Sequence, residues 1–356
     1  MNIYWLICQT ATVQDHNNPA NVTVFLDAMQ QILTENAARC YDKADKSAKE
    51  KRGIIMQKHL LKLLDLSPEE IDEILDLAAE LKARQKQGAP HPLLQGKTLA
   101  MIFTKNSTRT RVSFETGMFQ LGGHAIFLSG SESQIGRGEP VQDTARVLSR
   151  YCDGIMIRTY AQSEVEDLAR FSSIPVINGL TDFCHPCQVL ADLLTVREHK
   201  GRLAGLKLCY IGDGNNMANS LIVGGLKAGM EVSAACPAGY DPDPAVLAFA
   251  AAHGGFTLCR SPHEAARGAD AVFTDVWASM GQESERAQRA AAFAGYCVDE
   301  ALMARTHAGC MVQHCLPAHR GEEITAQVFE AHAGEIFDEA ENRLHAQKAV
   351  LALLLK

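Results

Sequence analysis

A chain of 356 residues has room for about two ordinary domains, and 47% apolar residues suffice for sizeable cores. A net charge of −8 argues against a broad nucleic-acid or anionic-membrane footprint, and no uninterrupted apolar run approaches the ~20 residues of a membrane helix. Eleven cysteines, an odd number scattered through apolar segments, suggest free thiols in a reducing compartment, so a cytoplasmic setting is expected.

Residues 1–55 differ in character from the rest. The first eleven residues have no basic region ahead of the apolar ones, the first arginine is Arg39, and 41–52 are highly charged. Neither a secretory nor a transit signal fits. The working protein is expected to start near Met56, with 1–55 a poorly ordered leader. A helix then opens at Ser67, a capping residue followed by Pro68 at the first helical position and Glu70 to complete a capping box. Gly88 suits its end.

From residue 97 short apolar runs alternate with helical patterns. The predicted strands are 98–103, 124–129, 154–158, 175–178, 207–211, 231–235, 256–259, 271–275 and 310–314. Helices are expected over 108–121, 140–151, 186–199 and 342–355. Alternation of this kind predicts an α/β fold with doubly wound parallel sheets covered by helices on both faces. Four strands precede residue 185 and five follow. The expected layout is therefore a domain over 56–185, a second over 186–335, interdomain helices, and a C-terminal helix within 336–356 packing back on the first domain.

The stretch TKNSTRTR (104–111) falls between a predicted strand and helix. Free N–H groups and the positive end of the helix dipole make that position an anion site, and phosphate is the natural anion. Ser107, Thr108 and Thr110 add hydroxyls, and Arg109 adds a planar fork. A capped helix with two surface arginines is the plainer alternative. A second strand-to-helix turn, CHPCQVLADLL, sets His185 and Gln188 around Pro186. Cys184 and Cys187 form C-x-x-C, but no second pair follows at finger spacing, so no metal is expected. Cys315 follows a predicted strand and precedes Pro317, at the carboxyl end where open α/β sheets bind ligands. G-x-G at Gly212 and Gly214 is a weak dinucleotide signal, and Met217 stands at the third small position.

Together these clusters closely resemble the aspartate/ornithine carbamoyltransferase family over residues 56 to 356. STRTR (107–111) and HPCQ (185–188) are similar to its two carbamoyl-phosphate signatures. GDGNNMANS (212–220), DVWASMG (275–281) and HCLPAHRGEE (314–323) resemble the ornithine branch. The resemblance implies a carbamoyl-phosphate domain, an ornithine domain and a homotrimer with active sites at subunit contacts. It assigns Ser107, Thr108, Arg109 and Thr110 to the phosphate, and places Gln134, Arg158, His185, Pro186, Cys187, Gln188 and Arg343 around carbamoyl phosphate. Asn216, Asp275, Ser279 and Met280 fall to ornithine, and Cys315 and Leu316 lie between the substrates. No cofactor is implied, because carbamoyl phosphate is already activated.

The implied chemistry is attack by the δ-amine of ornithine. Arg158, His185 and Thr110 suit the carbonyl oxygen, where negative charge develops. The amine resembles lysine, so its neutral form costs roughly 4–5 kcal/mol at pH 7. Cys315 is the expected proton acceptor, with Asp275 orienting the amine. The rivals are a different acceptor (putrescine or N-acetylornithine), a dinucleotide-dependent oxidoreductase resting on the G-x-G, and a non-catalytic relative.

Overall fold

The structure is a computed structural model that describes residues 58–130, 134, 138–278 and 283–356. The first long helix, α1 (Pro68–Lys86), starts as the capping box requires. Ser67 Oγ accepts from the Glu70 N–H at 3.1 Å, and the Ser67 N–H donates to Glu70 at 2.7 Å. Its buried face is Ile71, Ile74, Leu75, Ala78 and Leu81, the spacing of one helical stripe. Gly88, at φ 66°, takes the left-handed conformation just past the end.

The chain then alternates in order: β1 (Thr98–Phe103), α2 (Thr108–Gln120), β2 (His124–Ser129), α3 (Val141–Tyr151), β3 (Gly154–Arg158), α4 (Gln162–Phe171) and β4 (Val176–Leu180). After the connecting helix α5 (Pro186–Lys200) come β5 (Lys207–Ile211), α6 (Asn216–Lys227), β6 (Glu231–Ala235), α7 (Pro244–His253), β7 (Phe256–Cys259), α8 (Pro262–Ala265) and β8 (Ala271–Thr274). The last elements are α9 (Arg286–Ala292), α10 (Glu300–Met303), β9 (Met311–His314), α11 (Ala326–Ala331) and α12 (Ala333–Leu355). The strands form two all-parallel sheets, ordered β2-β1-β3-β4 and β7-β6-β5-β8-β9. Each sheet is wound outward in two directions from its first strand. The switch points therefore lie at the carboxyl ends between β1 and β3 and between β5 and β8, where such folds place ligands.

Two helices tie the sheets together. α5 is buried without interruption from Pro186 to Val196, because it packs against α1, α6, β4 and α12 at once. α12 lies along α1, α2, α5 and β9, and the Leu355 side chain comes so near β3 that a Cβ on Gly154 would stand 3.0 Å from it. The expected start of this last helix is corrected: it begins at Ala333, nine residues before 342 and ahead of the expected 336 boundary. Its first turns, AGEIFDEAE, bury only Ile336 and a carboxyl, Glu339. Their apolar periodicity is therefore too thin to reveal a helix. Among the described residues no helix is long and apolar enough to cross a membrane.

Candidate active site

The carboxyl ends of both sheets open onto one cleft of about 570 Å³. On the first sheet the chain leaves β1 and enters α2 at Ser107, whose hydroxyl caps the helix by accepting from the Thr110 N–H at 3.2 Å. No acidic residue occupies the first turn of α2, so the helix end faces the cleft with its positive potential unopposed. Lys105, Arg109, Arg158 and Arg343 all line this corner. Arg158 is the last residue of β3, and Arg343 reaches over from α12 to donate to Thr110 Oγ1 at 2.8 Å. Arg109 donates to the Leu316 carbonyl at 2.5 Å, across the cleft.

Both Arg158 and Arg343 are buried, and the Nε of each has no hydrogen-bond partner. Among the described residues no carboxylate forms an ion pair with Arg109, Arg158 or Arg343, whereas Lys105 is paired with Asp182 at 2.8 Å. Burial, then the Arg343 and Arg109 charges, push the Arg158 guanidinium down to about 9. Burial and the same charges hold His185 well below the ordinary imidazole range, so it is neutral at pH 7 with one ring N–H to offer. Uncompensated cations in a dry corner call for an anion. Arg111 takes no part. It pairs with Glu115 at 2.9 Å and stacks on Phe127 with 3.8 Å to the ring centroid.

The second turn delivers His185 as the residue before α5, its backbone N–H donating to Ser220 Oγ at 2.8 Å. Pro186 begins the helix, and Gln188 turns its side chain toward the cleft. Cys184 and Cys187 serve packing. Their thiols donate to Leu61, Gln162 and Asn178 oxygens rather than to each other, and burial pushes both up to about 12. Cys187 is thus beside the cleft and not in its lining.

The opposite wall comes from the second sheet. After β5, Asn215 caps α6 by accepting from the Met217 and Ala218 N–H groups, and its amide lies 3.4 Å from Asp275. Asn216 donates to the Thr181 carbonyl at 2.7 Å, linking the two halves of the cleft. Gly214 meets the chain itself: a Cβ there would stand 2.2 Å from the Asp241 carbonyl carbon. That close approach accounts for the second G-x-G glycine without any ligand. Asp275, one residue past β8, accepts from the Cys315 thiol at 3.0 Å. Burial and the Asp275 charge hold that thiol well above the ordinary range, so Cys315 rests protonated. The sequence expectation made Cys315 the proton acceptor, and a thiol that rests protonated must first lose its own proton to act as one.

The loop carrying Cys315 and Leu316 is fixed from beneath by His314. Its Nδ1 accepts from the Leu316 N–H at 2.9 Å and its Nε2 pairs with Glu323 at 3.0 Å, both side chains fully buried. Leu316 adopts φ 57°, rare for a branched residue, and directs its carbonyl to Arg109.

The cleft thus gathers Ser107, Thr108, Arg109, Arg158, His185, Gln188, Asn216, Asp275, Cys315, Leu316 and Arg343, with Thr110 buried just beneath. Gln134 is exposed and outside the lining, and Ser279 and Met280 lie outside the described residues. Sequence reasoning missed Lys105, Trp277 and Arg289. Lys105 lay in view, two residues ahead of the cap. Arg289 could not be foreseen, because its partners, Asp213 at 2.7 Å and the Trp277 carbonyl at 3.0 Å, come from distant segments.

Comparison with known proteins agrees with this geometry. The "aspartate/ornithine carbamoyltransferase, carbamoyl-P binding domain" matches residues 58–198, and the "Asp/Orn binding domain" of the same family matches 204–354. The chain is 58% identical to the ornithine carbamoyltransferase of Pelobacter propionicus over 302 residues, 84% of this chain and 99% of that one. Against that of Geobacter sulfurreducens it is 57% identical, covering 85% and 100%. The solved ornithine carbamoyltransferase of Pyrococcus furiosus superposes with a TM-score of 0.80 at 52% identity, covering 83% of this chain and 96% of that one. With both domains matched and the cleft built where they meet, the chain belongs to the aspartate/ornithine carbamoyltransferase family.

Proposed function

We propose that the protein transfers the carbamoyl group of carbamoyl phosphate to the δ-amine of L-ornithine, giving L-citrulline and phosphate. The observation that carries this reading is the cluster of Arg109, Arg158 and Arg343 at the start of α2, facing the Asp275–Cys315 pair across one cleft. The phosphate takes the α2 N-terminus with Ser107, Thr108, Arg109 and Arg343. The carbonyl oxygen then faces Arg158, the neutral His185 and the Thr110 hydroxyl, donors already in place where charge develops. One such preorganised donor contributes about 3–4 kcal/mol to the transition state. Ornithine occupies the opposite wall at Asn216 and Asp275, with Ser279 and Met280 completing its site.

The resting state of Cys315 reshapes the proton path. As a thiol already donating to Asp275, it accepts a proton only after losing its own. Ornithine therefore binds with release of one proton to solvent, leaving a single proton shared between amine nitrogen and sulfur. The amine attacks, its nitrogen passes the surplus proton to the Asp275–Cys315 pair, and as the C–O bond breaks that proton leaves on the departing phosphate, restoring the pair. Reaction with ornithine should consequently rise with pH through the ionisation of the amine.

Ornithine is favoured over putrescine or N-acetylornithine because the compared relatives bear the name ornithine carbamoyltransferase. The reading extends to a homotrimer in the cytoplasm serving arginine biosynthesis, with a neighbouring copy bringing Gln134 to the cleft. It also places the catalytic unit from Met56 onward, so a chain begun there should turn over as the full chain does. A steady-state citrulline assay with the three amines tests the central claim. Turnover with ornithine alone is expected, and none with ornithine would overturn it.

A further inference from the structure

Two buried carboxyl groups stand behind the cleft with no role in the chemistry above. Asp192, on α5, and Glu339, on α12, are 0% and 1% exposed. Among the described residues neither makes an ion pair. Both accept from the same group, Gln188 Nε2, at 2.8 Å each. The second Glu339 oxygen accepts from the His314 N–H at 2.9 Å, and Gln313 donates to the Asp192 backbone carbonyl at 3.1 Å.

A primary amide has two N–H donors and one carbonyl acceptor. Here both donors of Gln188 are consumed by the carboxyls, and its Oε1 is buried without a partner. Gln188 lines the cleft, so the end that remains for a ligand is the acceptor. Rotating the amide by 180° would aim Oε1 at two carboxyl oxygens and aim the N–H groups into a corner already crowded with cationic donors.

We propose that Asp192 and Glu339 are positioning residues that lock the Gln188 amide with its carbonyl toward the cleft, so that the site demands a donor molecule bearing an N–H at the carbonyl carbon. This rests on the proposed carbamoyl-transfer reading and deepens it. The phosphate corner sees only phosphate and carbonyl oxygens, and acetyl phosphate presents those equally well. Only the group beside the carbonyl distinguishes the two, –NH2 in carbamoyl phosphate and –CH3 in acetyl phosphate. An unpaired carbonyl in a buried site rejects a methyl strongly.

The two carboxyls share one buried site. Burial raises both, and the Asp192 charge raises Glu339 further; the Gln188 and Glu339 hydrogen bonds and the Arg343 charge hold Asp192 back, and Asp275 and Cys315 face the pair from the loops after β8 and β9. One proton held between them makes a singly charged acceptor wall, which suits an amide better than two full charges.

The test compares three ligands on the full chain: carbamoyl phosphate by KM, acetyl phosphate by competitive inhibition, and inorganic phosphate by calorimetry. Asp192→Ala and Glu339→Ala each remove an acceptor, and the preference for carbamoyl over acetyl phosphate should fall roughly 10-fold or more. Inorganic phosphate, which touches only the α2 corner, should change less than about 2-fold and so certifies a folded site. Asp192→Asn and Glu339→Gln keep an acceptor oxygen and should retain most of the preference. Should the alanine cavity unfold the chain, Asp192→Leu fills the volume without an acceptor and gives the same reading. An unchanged preference in the acceptor-free variants overturns the inference, and so does equal loss in the Asn and Gln variants. Failure of the parent reading would instead appear in the wild type, as no citrulline formed.

Discussion

Replacing Arg343 by methionine separates binding from stability. Arg343 is 4% exposed, donates one hydrogen bond to Thr110, and leaves its Nε without a partner. A buried arginine held by a carboxylate would cost about 3–5 kcal/mol to remove, because its partner would be stranded. Among the described residues no carboxylate is hydrogen-bonded or ion-paired to it; Arg158 and Arg109 repel it, while Asp192 and Glu339 lie near enough to feel its charge. The displacement of Arg158 from 12.5 to about 9 corresponds to on the order of 5 kcal/mol, shared between burial and the two neighbouring charges. Arg343→Met forfeits about 1 kcal/mol of hydrogen bonding and relieves part of that repulsion. The free protein should therefore stay within about 1 kcal/mol of wild type.

Phosphate binding should not survive so well. Loss of a charge-assisted hydrogen bond, about 1.5–3 kcal/mol, weakens it roughly 10- to 150-fold. Thermal unfolding with and without inorganic phosphate reads both effects. At a concentration of about 100 times the wild-type Kd, wild type gains about 2.7 kcal/mol. A variant bound about 30-fold more weakly gains only about 0.9 kcal/mol at that concentration. A variant that loses several kcal/mol without ligand, yet keeps the wild-type phosphate gain, would refute the account of an uncompensated cationic corner.

Cys315→Ala should lower kcat far more than it weakens carbamoyl phosphate, and should shift or remove one limb of the pH profile; normal kcat with an unchanged profile would leave Asp275 or solvent as the acceptor. Gly214→Ala should destabilise the chain by at least ~2 kcal/mol in urea unfolding, because its Cβ would overlap the backbone of 240–242. Lys348 is fully buried against His91 and Gln120, and burial pushes it down to about 8. Between pH ~8 and ~10.5 the unfolded chain binds the extra proton, so this residue makes stability rise with pH by on the order of 3 kcal/mol. Lys348→Met should flatten that rise in unfolding measured across the window.

Much of the fold was legible because the central parallel strands are buried on both faces and read as continuous apolar runs, while the edge strands 124–129 and 256–259 keep short apolar stretches though partly exposed. The strands 98–103, 124–129, 154–158, 207–211, 231–235 and 256–259 run as read, as does the capping box at Ser67. So were the two turns that carry Ser107 and His185, since Ser107 at the start of a helix and Pro186 at its first turn leave local marks. Local chemistry is written in neighbouring residues, and sequence alone determined it.

Tertiary structure decided what depends on partners far apart in the chain. The last helix begins at Ala333, and its first turn is tied to β9 by Glu335, which accepts from the Val312 N–H at 2.8 Å, a contact that its own periodicity does not advertise. Cys315 rests as a thiol because folding buries it and sets Asp275, forty residues away, against it. Asp192 lies one helical turn from Gln188 and could have been noticed, but Glu339 reaches the same amide only because α12 packs on α5. Charge, burial and protonation are properties of an assembled neighbourhood, and no single segment of the sequence contains one.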